Sequence, residues 1–202
     1  MAFDRRELLA LGAGAAALLA AGPAAALNED EARRHVQATI DDLLELLKVK
    51  GVAASIAPKL RSIMERRANM PQLARFSAGR IWLEMSEDQR ARYSEAFAHF
   101  VSVIYARRFK DVSGDPNIQI GRVLDAGKKG FLVQTPLQGP SGEPLAVEWL
   151  VSDRSGKIEI VDILVEGISM AVTQREEIGA LYQREGQNVD QLIATLEAEK
   201  AV

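Results

Sequence analysis

The sequence predicts an α+β fold in which N-terminal helices precede a four-stranded antiparallel meander and further helices close the chain. Apolar residues recur at helical spacing up to about residue 110, and past Gly114-Asp115-Pro116 they recur at every second residue. Short polar segments separate the alternating runs, as expected for consecutive strands that pair antiparallel. The length of 27–202 suits a single domain.

The first two helices are predicted from their apolar spacing and their ends. Asn28 followed by Glu31 is typical of a capping box, in which each side chain accepts the other residue's backbone N–H at a helix start. The helix that follows should run over 28–50, where a glycine ends it. A second apolar stripe predicts a helix over 52–68.

The third and fourth helices carry most of the aromatic residues of the helical half. The third should begin near Pro71, because a missing N–H costs nothing in a first helical turn, and should extend to Leu83. Ser86 with Gln89 is a second capping box and predicts a long helix over 87–110. A face with three aromatic residues is usually plain core, and a ligand-lining surface is the alternative. That face consists of Tyr93, Phe97, Phe100, Val101 and Ile104.

Four strands are predicted over 118–125, 131–138, 145–152 and 158–165. The third and fourth have apolar residues on both faces, whereas a half-exposed antiparallel sheet normally alternates apolar with polar residues. Either helices cover both faces of this sheet, or one face lines an internal cavity. Two more helices, over 168–185 and 189–199, are predicted to complete the chain.

Residues 1–26 are typical of an export signal. Arg5 and Arg6 form a charged start, a short apolar run continues to Ala21, and Ala24-Ala25-Ala26 supplies small residues for cleavage. The run is shorter than the roughly 20 residues that cross a bilayer. The adjacent arginines favour twin-arginine export, with Sec export and an uncleaved N-terminal anchor as the alternatives. The sequence therefore predicts a domain released from the cytoplasm.

Composition and charge exclude several classes of function. The chain has a formal net charge of −3 at pH 7, and loss of 1–26 leaves this value unchanged because that segment holds equal numbers of acidic and basic residues. A slightly acidic chain is poorly suited to neutralising phosphates, so no nucleic acid partner is expected. The chain contains no cysteine, so neither disulfides nor thiol chemistry is expected.

The sequence contains no recognisable catalytic or metal-binding set. His35 and His99 lie in different predicted helices without the spacing of metal ligands, and no Gly-x-Ser-x-Gly motif occurs. Asp162 and Glu166 flank the end of the last strand, where a structural role, accepting backbone N–H groups or an arginine, is favoured over catalysis by a carboxylate pair. We therefore expect no enzymatic activity, no metal and no cofactor.

Several segments, in the same order, resemble the MlaC family, also called toluene-tolerance auxiliary proteins of an ABC transporter. Asp162-Ile-Leu-Val-Glu-Gly-Ile-Ser-Met170 is similar to the family signature Asp-x-x-x-Glu-Gly-Val-Ser. Phe76-Ser-Ala-Gly-Arg-Ile-Trp82 is similar to its Leu-Gly-Arg-Tyr-Trp helix, with Ile81 where the family often has tyrosine. Phe97-Ala-His-Phe100 resembles the Phe-x-x-Phe core of the helix that follows.

The resemblance implies a periplasmic lipid carrier with phospholipid as its ligand. Relatives hold the acyl chains in an apolar cavity between sheet and helices. They shuttle lipid between an outer-membrane lipoprotein complex and an inner-membrane ABC transporter with an MCE-domain protein, which maintains lipid asymmetry. A branch of the family is associated with hopanoids, so that ligand class stays open, as does a non-catalytic structural or adaptor role.

The lipid-binding residues expected from this resemblance lie at facing positions of helices and strands. Because side chains alternate along a strand, a register different by one residue would move the whole strand set to the other face. The helical candidates are Phe76, Phe97, Phe100, Val101 and Ile104. The strand candidates are Phe131, Val133, Val147, Trp149, Val161, Ile163 and Val165.

Overall fold

The computed structural model describes residues 27–48, 52–110, 118–138 and 144–201. These residues form seven α-helices and one five-stranded antiparallel sheet. No helix within the described ranges is both long and apolar enough to cross a membrane. The predicted export signal, the last residues of the first predicted helix, the segment 114–116 and the polar segment between the second and third predicted strands lie outside the described residues.

Both predicted capping boxes are present at helix starts. Asn28 Oδ1 accepts the backbone N–H of Glu31 at 3.0 Å, and Ser86 Oγ accepts that of Gln89 at 3.2 Å. The reciprocal bonds are also formed, so both starts are confirmed. The helices are α1 (Glu29–Leu47), α2 (Ala53–Arg67), α3 (Met70–Ala78), α4 (Ile81–Glu84), α5 (Glu87–Lys110), α6 (Met170–Arg184) and α7 (Val189–Glu197).

The third predicted helix is broken into α3 and α4 by Gly79. This glycine has φ of 57°, in the left-handed region that a side chain disfavours, and its N–H bonds the Phe76 carbonyl at 3.2 Å. The prediction of one continuous helix to Leu83 is therefore wrong. A helical apolar spacing continues across the break because α4 resumes after only two residues.

The antiparallel meander is confirmed, and one strand more than predicted is present. The strands are β1 (Val123–Asp125), β2 (Phe131–Gln138), β3 (Pro144–Ser152), β4 (Glu159–Val165) and β5 (Ile168–Ser169), paired in chain order. The first predicted strand is shortened, although Gly121 N–H still bonds the Gln134 carbonyl at 2.7 Å ahead of β1. β5 had been predicted as the start of a helix, which instead begins at Met170.

A β-bulge between β3 and β4 changes which residues of β4 face inward. Trp149 pairs with Ile163, whereas Val151 pairs with Ile160, so β4 contains one extra residue between these pairs. Ile160 is buried, and Val161 is half-buried. The face shared by Ile163 and Val165 therefore continues with Ile160 rather than with Val161.

Three apolar clusters form the core of the described residues, and two of them contain most of the predicted lipid-binding residues. In the first, which we call the sheet cluster, α1 covers one face of the sheet. Its buried members are Ala32, Val36, Ile40, Val133, Val147, Trp149, Val151 and Ile160. The second, which we call the helical cluster, joins α3 to α7. Its larger buried members are Met70, Ile81, Met85, Tyr93, Phe97, Phe100, Val101, Ile178, Leu192, Ile193 and Leu196.

Candidate functional site

The sheet face covered by α1 holds most of the strand residues predicted to bind lipid. Val133 is fully buried, and Val147 and Trp149 expose only 7% and 9% of their surface. Phe131, Ile163 and Val165 pack against them and are only partly buried. We call these three residues the apolar rim. The face thus has a closed centre and an edge that keeps some contact with water.

Trp149 is fixed at the centre of this face by a hydrogen bond. Its indole Nε1 donates to Thr135 Oγ1 at 2.9 Å, and Thr135 is itself fully buried on β2. A buried polar group without a partner is costly, so this pair satisfies the indole N–H while its ring stays in the apolar cluster. A position held in this way gives the sheet face a constant shape.

The helical candidates on α5 lie in the other cluster. Phe97, Phe100 and Val101 are buried among helices, and Ile104 packs against the same cluster with part of its surface exposed. Tyr93 stacks on Phe97 with their ring centroids 6.1 Å apart. The structure thus assigns the α5 stripe to the core of the helical cluster and does not join it with the strand candidates in one cluster.

Phe76 and Val161 lie outside both clusters. Phe76 on α3 is 39% exposed, and the guanidinium carbon of Arg175 on α6 lies 5.3 Å from its ring centroid. That arrangement is typical of a cation–π contact at a surface. Val161 is the half-buried residue beside the bulge of β4. Contact of either side chain with lipid stays a prediction.

Two of the depressions on the described surface are lined by none of the twelve predicted lipid-binding residues. One, of about 450 Å³, lies between α1 and the segment 118–120. The other, of about 520 Å³, lies between α2, α5 and the segment 199–201. An enclosed cavity between sheet and helices stays a prediction.

Asp162 ties the last two strands to the start of α6. Its Oδ1 accepts the backbone N–H groups of Ile163 and Ala171 at 2.8 and 3.0 Å. Its Oδ2 accepts the hydroxyl of Ser169 at 2.6 Å, and Ser169 Oγ caps α6 by accepting the Val172 N–H at 3.1 Å. The predicted structural role of this carboxylate is confirmed.

Glu166 and Gly167 form the turn between β4 and β5. Both residues have positive φ, 51° and 76°, as a two-residue hairpin turn of type I′ requires. The Glu166 carboxylate also accepts the backbone N–H of Ala146 on β3. The acidic residue and the glycine of the signature therefore build a turn.

The two histidines are bonded to backbone carbonyl groups. His35 Nε2 lies 2.8 Å from the Arg67 carbonyl, and His99 Nε2 lies 2.9 Å from that of Glu199. A carbonyl oxygen can only accept, so Nε2 carries the proton in each ring. Among the described residues, no group of three or more His, Cys, Asp or Glu is placed to hold a metal ion.

Comparison with known proteins identifies the family. The family model described as MlaC protein matches residues 37–198. The chain belongs to the MlaC family. The MlaC match takes in all five strands and every helix after α1, together with most of α1. This membership points to a binding or transport protein rather than an enzyme.

A solved structure shares the MlaC architecture described above. It is the phospholipid-binding protein from Ralstonia solanacearum, solved in complex with a phospholipid. The TM-score is 0.67 at 18% sequence identity, and the likeness covers 83% of this chain and 96% of that chain. At this identity the likeness shows the fold, and it confirms the predicted α+β arrangement of helices and meander.

Proposed function

We propose that this MlaC-family protein is a periplasmic carrier of phospholipid. It would move lipid between an outer-membrane lipoprotein complex and an inner-membrane ABC transporter that contains an MCE-domain protein. The observation that carries the proposal is the apolar rim of the sheet cluster, which keeps exposed apolar surface beside a closed apolar centre. The phospholipid held by the Ralstonia solanacearum protein of the same fold supports this class of ligand.

The acyl chains are expected to lie along the apolar rim. Hydrophobic stabilisation is proportional to the apolar surface that leaves water, so side chains that still have such surface gain most from contact with a ligand. Apolar surface remains exposed on Phe131, Ile163 and Val165. In contrast, only 3% of the surface of Phe97 and 4% of that of Phe100 is exposed. The α5 residues would then support the fold behind the site.

The hydrophobic stabilisation of such a complex is large enough for the lipid to remain bound during purification. A lipid with roughly 30 methylene groups, at about 0.8 kcal/mol each, has a gross transfer term near 25 kcal/mol. Only part of this term becomes affinity, because lost freedom and ordering oppose association. Even a fraction gives a complex that dissociates slowly. Lipid bound in the cell should therefore accompany the protein through a detergent-free preparation.

Extraction of the natively purified protein tests the proposal. We expect organic solvent to release about one phospholipid per chain, identified by mass spectrometry. Ile163→Trp should lower the lipid content several-fold, because a larger ring on the apolar rim takes the space of a chain. Val172→Trp is the matched control, since Val172 on α6 is 44% exposed and lies outside the sheet cluster.

A wild-type preparation that repeatedly lacks stoichiometric lipid would contradict the carrier role. Such a result would favour the alternative of a structural or adaptor protein. One observation supports that alternative, namely that the α5 candidates are packed as ordinary core in the helical cluster. Detection of a hopanoid or another apolar compound in place of phospholipid would retain a carrier role and change its ligand.

A further inference from the structure

We infer that the depression between α1 and 118–120 binds the phosphate group of a phospholipid, with Arg34 as its principal cation. This inference rests on the proposed function, because it assigns the polar end of the same ligand. The depression has a volume of about 450 Å³. Its lining combines two arginines and two glutamines with two isoleucines: Arg33, Arg34, Gln37, Gln119, Ile118 and Ile120.

The apolar side of the depression is continuous with the sheet cluster. Ile118 and Ile120 are half-buried and pack against that cluster, to which the apolar rim also belongs. A molecule whose polar end lies at the arginines would therefore place its apolar part beside the sheet cluster. The arrangement fits an amphiphile better than a small hydrophilic anion.

Arg33 shapes the depression and is already engaged. Its Nη1 donates to the Gly121 carbonyl at 3.2 Å, and its Nη2 lies 3.4 Å from Glu29 Oε1. The first contact holds the segment ahead of β1 against α1. The second is an exposed ion pair, which contributes little to stability and neutralises part of the Arg33 charge. This side chain therefore positions the wall of the site.

Arg34 is the cation that remains available. It is exposed, and no described residue forms an ion pair or hydrogen bond with its guanidinium. A guanidinium presents donors in a planar fork that can hold two phosphate oxygens at once. The Gln119 side chain adds an exposed amide donor on the opposite wall, whereas the Gln37 amide is bonded to Asp41 at 2.8 Å.

Arg34→Gln tests this inference on the folded domain. The assay compares equilibrium binding of phosphatidylglycerol with binding of a diacylglycerol that has the same acyl chains and no phosphate. We expect the variant to bind phosphatidylglycerol about tenfold more weakly, which corresponds to roughly 1.4 kcal/mol, and to bind diacylglycerol as the wild type does. Arg80→Gln is the matched control, since Arg80 is an exposed arginine between α3 and α4 that does not line the depression.

Two further outcomes separate the inference from its alternatives. Inorganic phosphate alone, titrated by calorimetry, should not bind at concentrations that saturate with phosphatidylglycerol. Binding of inorganic phosphate with equal affinity, lost in Arg34→Gln, would overturn the lipid assignment in favour of a free anion. An unchanged affinity for phosphatidylglycerol in Arg34→Gln, or equal losses for both lipids, would overturn the role of Arg34.

The same assay shows which proposal has failed. A wild-type protein that binds neither lipid contradicts the carrier function as a whole. A wild-type protein that binds both lipids, with no effect of Arg34→Gln, leaves the carrier function intact and removes only the phosphate site. Because Arg34 makes no contact that holds the fold, its replacement should change the free energy of unfolding by less than about 0.5 kcal/mol.

Discussion

Tyr93 stabilises the helical cluster in two ways, by apolar packing and by a buried hydrogen bond. Its side chain is fully buried, and its hydroxyl lies 2.8 Å from Ser77 Oγ. Ser77 donates its own hydrogen to the Ala74 carbonyl at 2.8 Å, so Tyr93 must be the donor to Ser77. Burial raises the pKa of the Tyr93 hydroxyl, and the bond with Ser77 opposes that rise in pKa only in part.

We predict that Tyr93→Phe lowers the free energy of unfolding by about 1 kcal/mol at pH 7, the usual net value of a buried hydrogen bond. Above pH 10 the wild type should lose up to about 1.4 kcal/mol per pH unit from this residue, because tyrosine ionises in the unfolded chain before it does in the folded one. The variant should show a shallower loss. Urea denaturation at pH 7 and near pH 11 measures both effects.

Ser77→Ala provides the control for this pH dependence. It removes the same hydrogen bond but keeps the buried tyrosine, so its unfolding free energy should still fall steeply above pH 10. The pKa values of Tyr105 and Tyr182 are also raised, chiefly by burial, so some pH dependence will remain in Tyr93→Phe. A slope in Tyr93→Phe as steep as that of the wild type would contradict the assignment to Tyr93.

The connection between β1 and β2 requires a glycine at one position, where the backbone passes close to β3. Gly130 has φ of 113°, and a Cβ built on it would lie 2.0 Å from the backbone carbonyl oxygen of Val151 on β3. Backbone atoms of a central strand cannot move aside cheaply. Gly127, three residues earlier in the same connection, has φ of 60° and no atom within 4 Å of its built Cβ.

We predict that Gly130→Ala destabilises the protein by about 3 kcal/mol or more, because both the backbone conformation and the approach to β3 exclude a methyl group. Gly127→Ala should cost only about 1 kcal/mol, the usual strain of a left-handed residue with a side chain. Equilibrium unfolding in urea at 25 °C measures the difference. Equal costs for the two variants would show that the close approach to Val151 is relieved by small shifts.

Among the helices and strands, the sequence could predict those features that depend only on residues close together in the chain. The capping boxes at Asn28 and Ser86 and the meander itself follow from local spacing and turn chemistry. The bulge in β4 could not be predicted, because it is defined only by the pairing of Ile160 with Val151 on another strand. The break at Gly79 was missed since an isolated glycine also occurs inside continuous helices.

Among the described residues, the sheet cluster and the helical cluster meet at the α2–α3 junction. Ala68 packs against both clusters and bridges to Ile160 on β4. Asn69 N–H donates to the Ile160 carbonyl at 3.0 Å, and its amide donates to Glu159 Oε2 at 2.7 Å. These contacts fix the position of α3 relative to the sheet.

This division explains why the candidate site was only partly predictable. Alternation along β2 and β3 is local, so Phe131, Val133, Val147 and Trp149 were placed correctly on one face. The α5 stripe was equally regular, but helical spacing shows only which residues share a side, not which neighbour covers that side. A measurement of which cluster the lipid contacts therefore tests the proposed site directly.

The two tryptophans of the chain make that measurement possible, because one belongs to each cluster. Trp149 is in the sheet cluster, and Trp82 packs against the helical cluster with its ring 6.3 Å from that of Tyr93. Trp82→Phe and Trp149→Phe each leave one fluorescent reporter. Bromine on an acyl chain quenches indole emission only at short range, so a phospholipid with brominated chains reports which cluster it touches.

We predict that the brominated lipid quenches Trp149 in Trp82→Phe several-fold more than it quenches Trp82 in Trp149→Phe, because the chains lie along the apolar rim beside Trp149. The same lipid without bromine gives the baseline for each variant. Trp149→Phe loses the bond to Thr135, so circular dichroism must first show that it folds. Stronger quenching of Trp82 would place the chains among the α5 aromatic residues and would require the helical cluster to open when lipid binds.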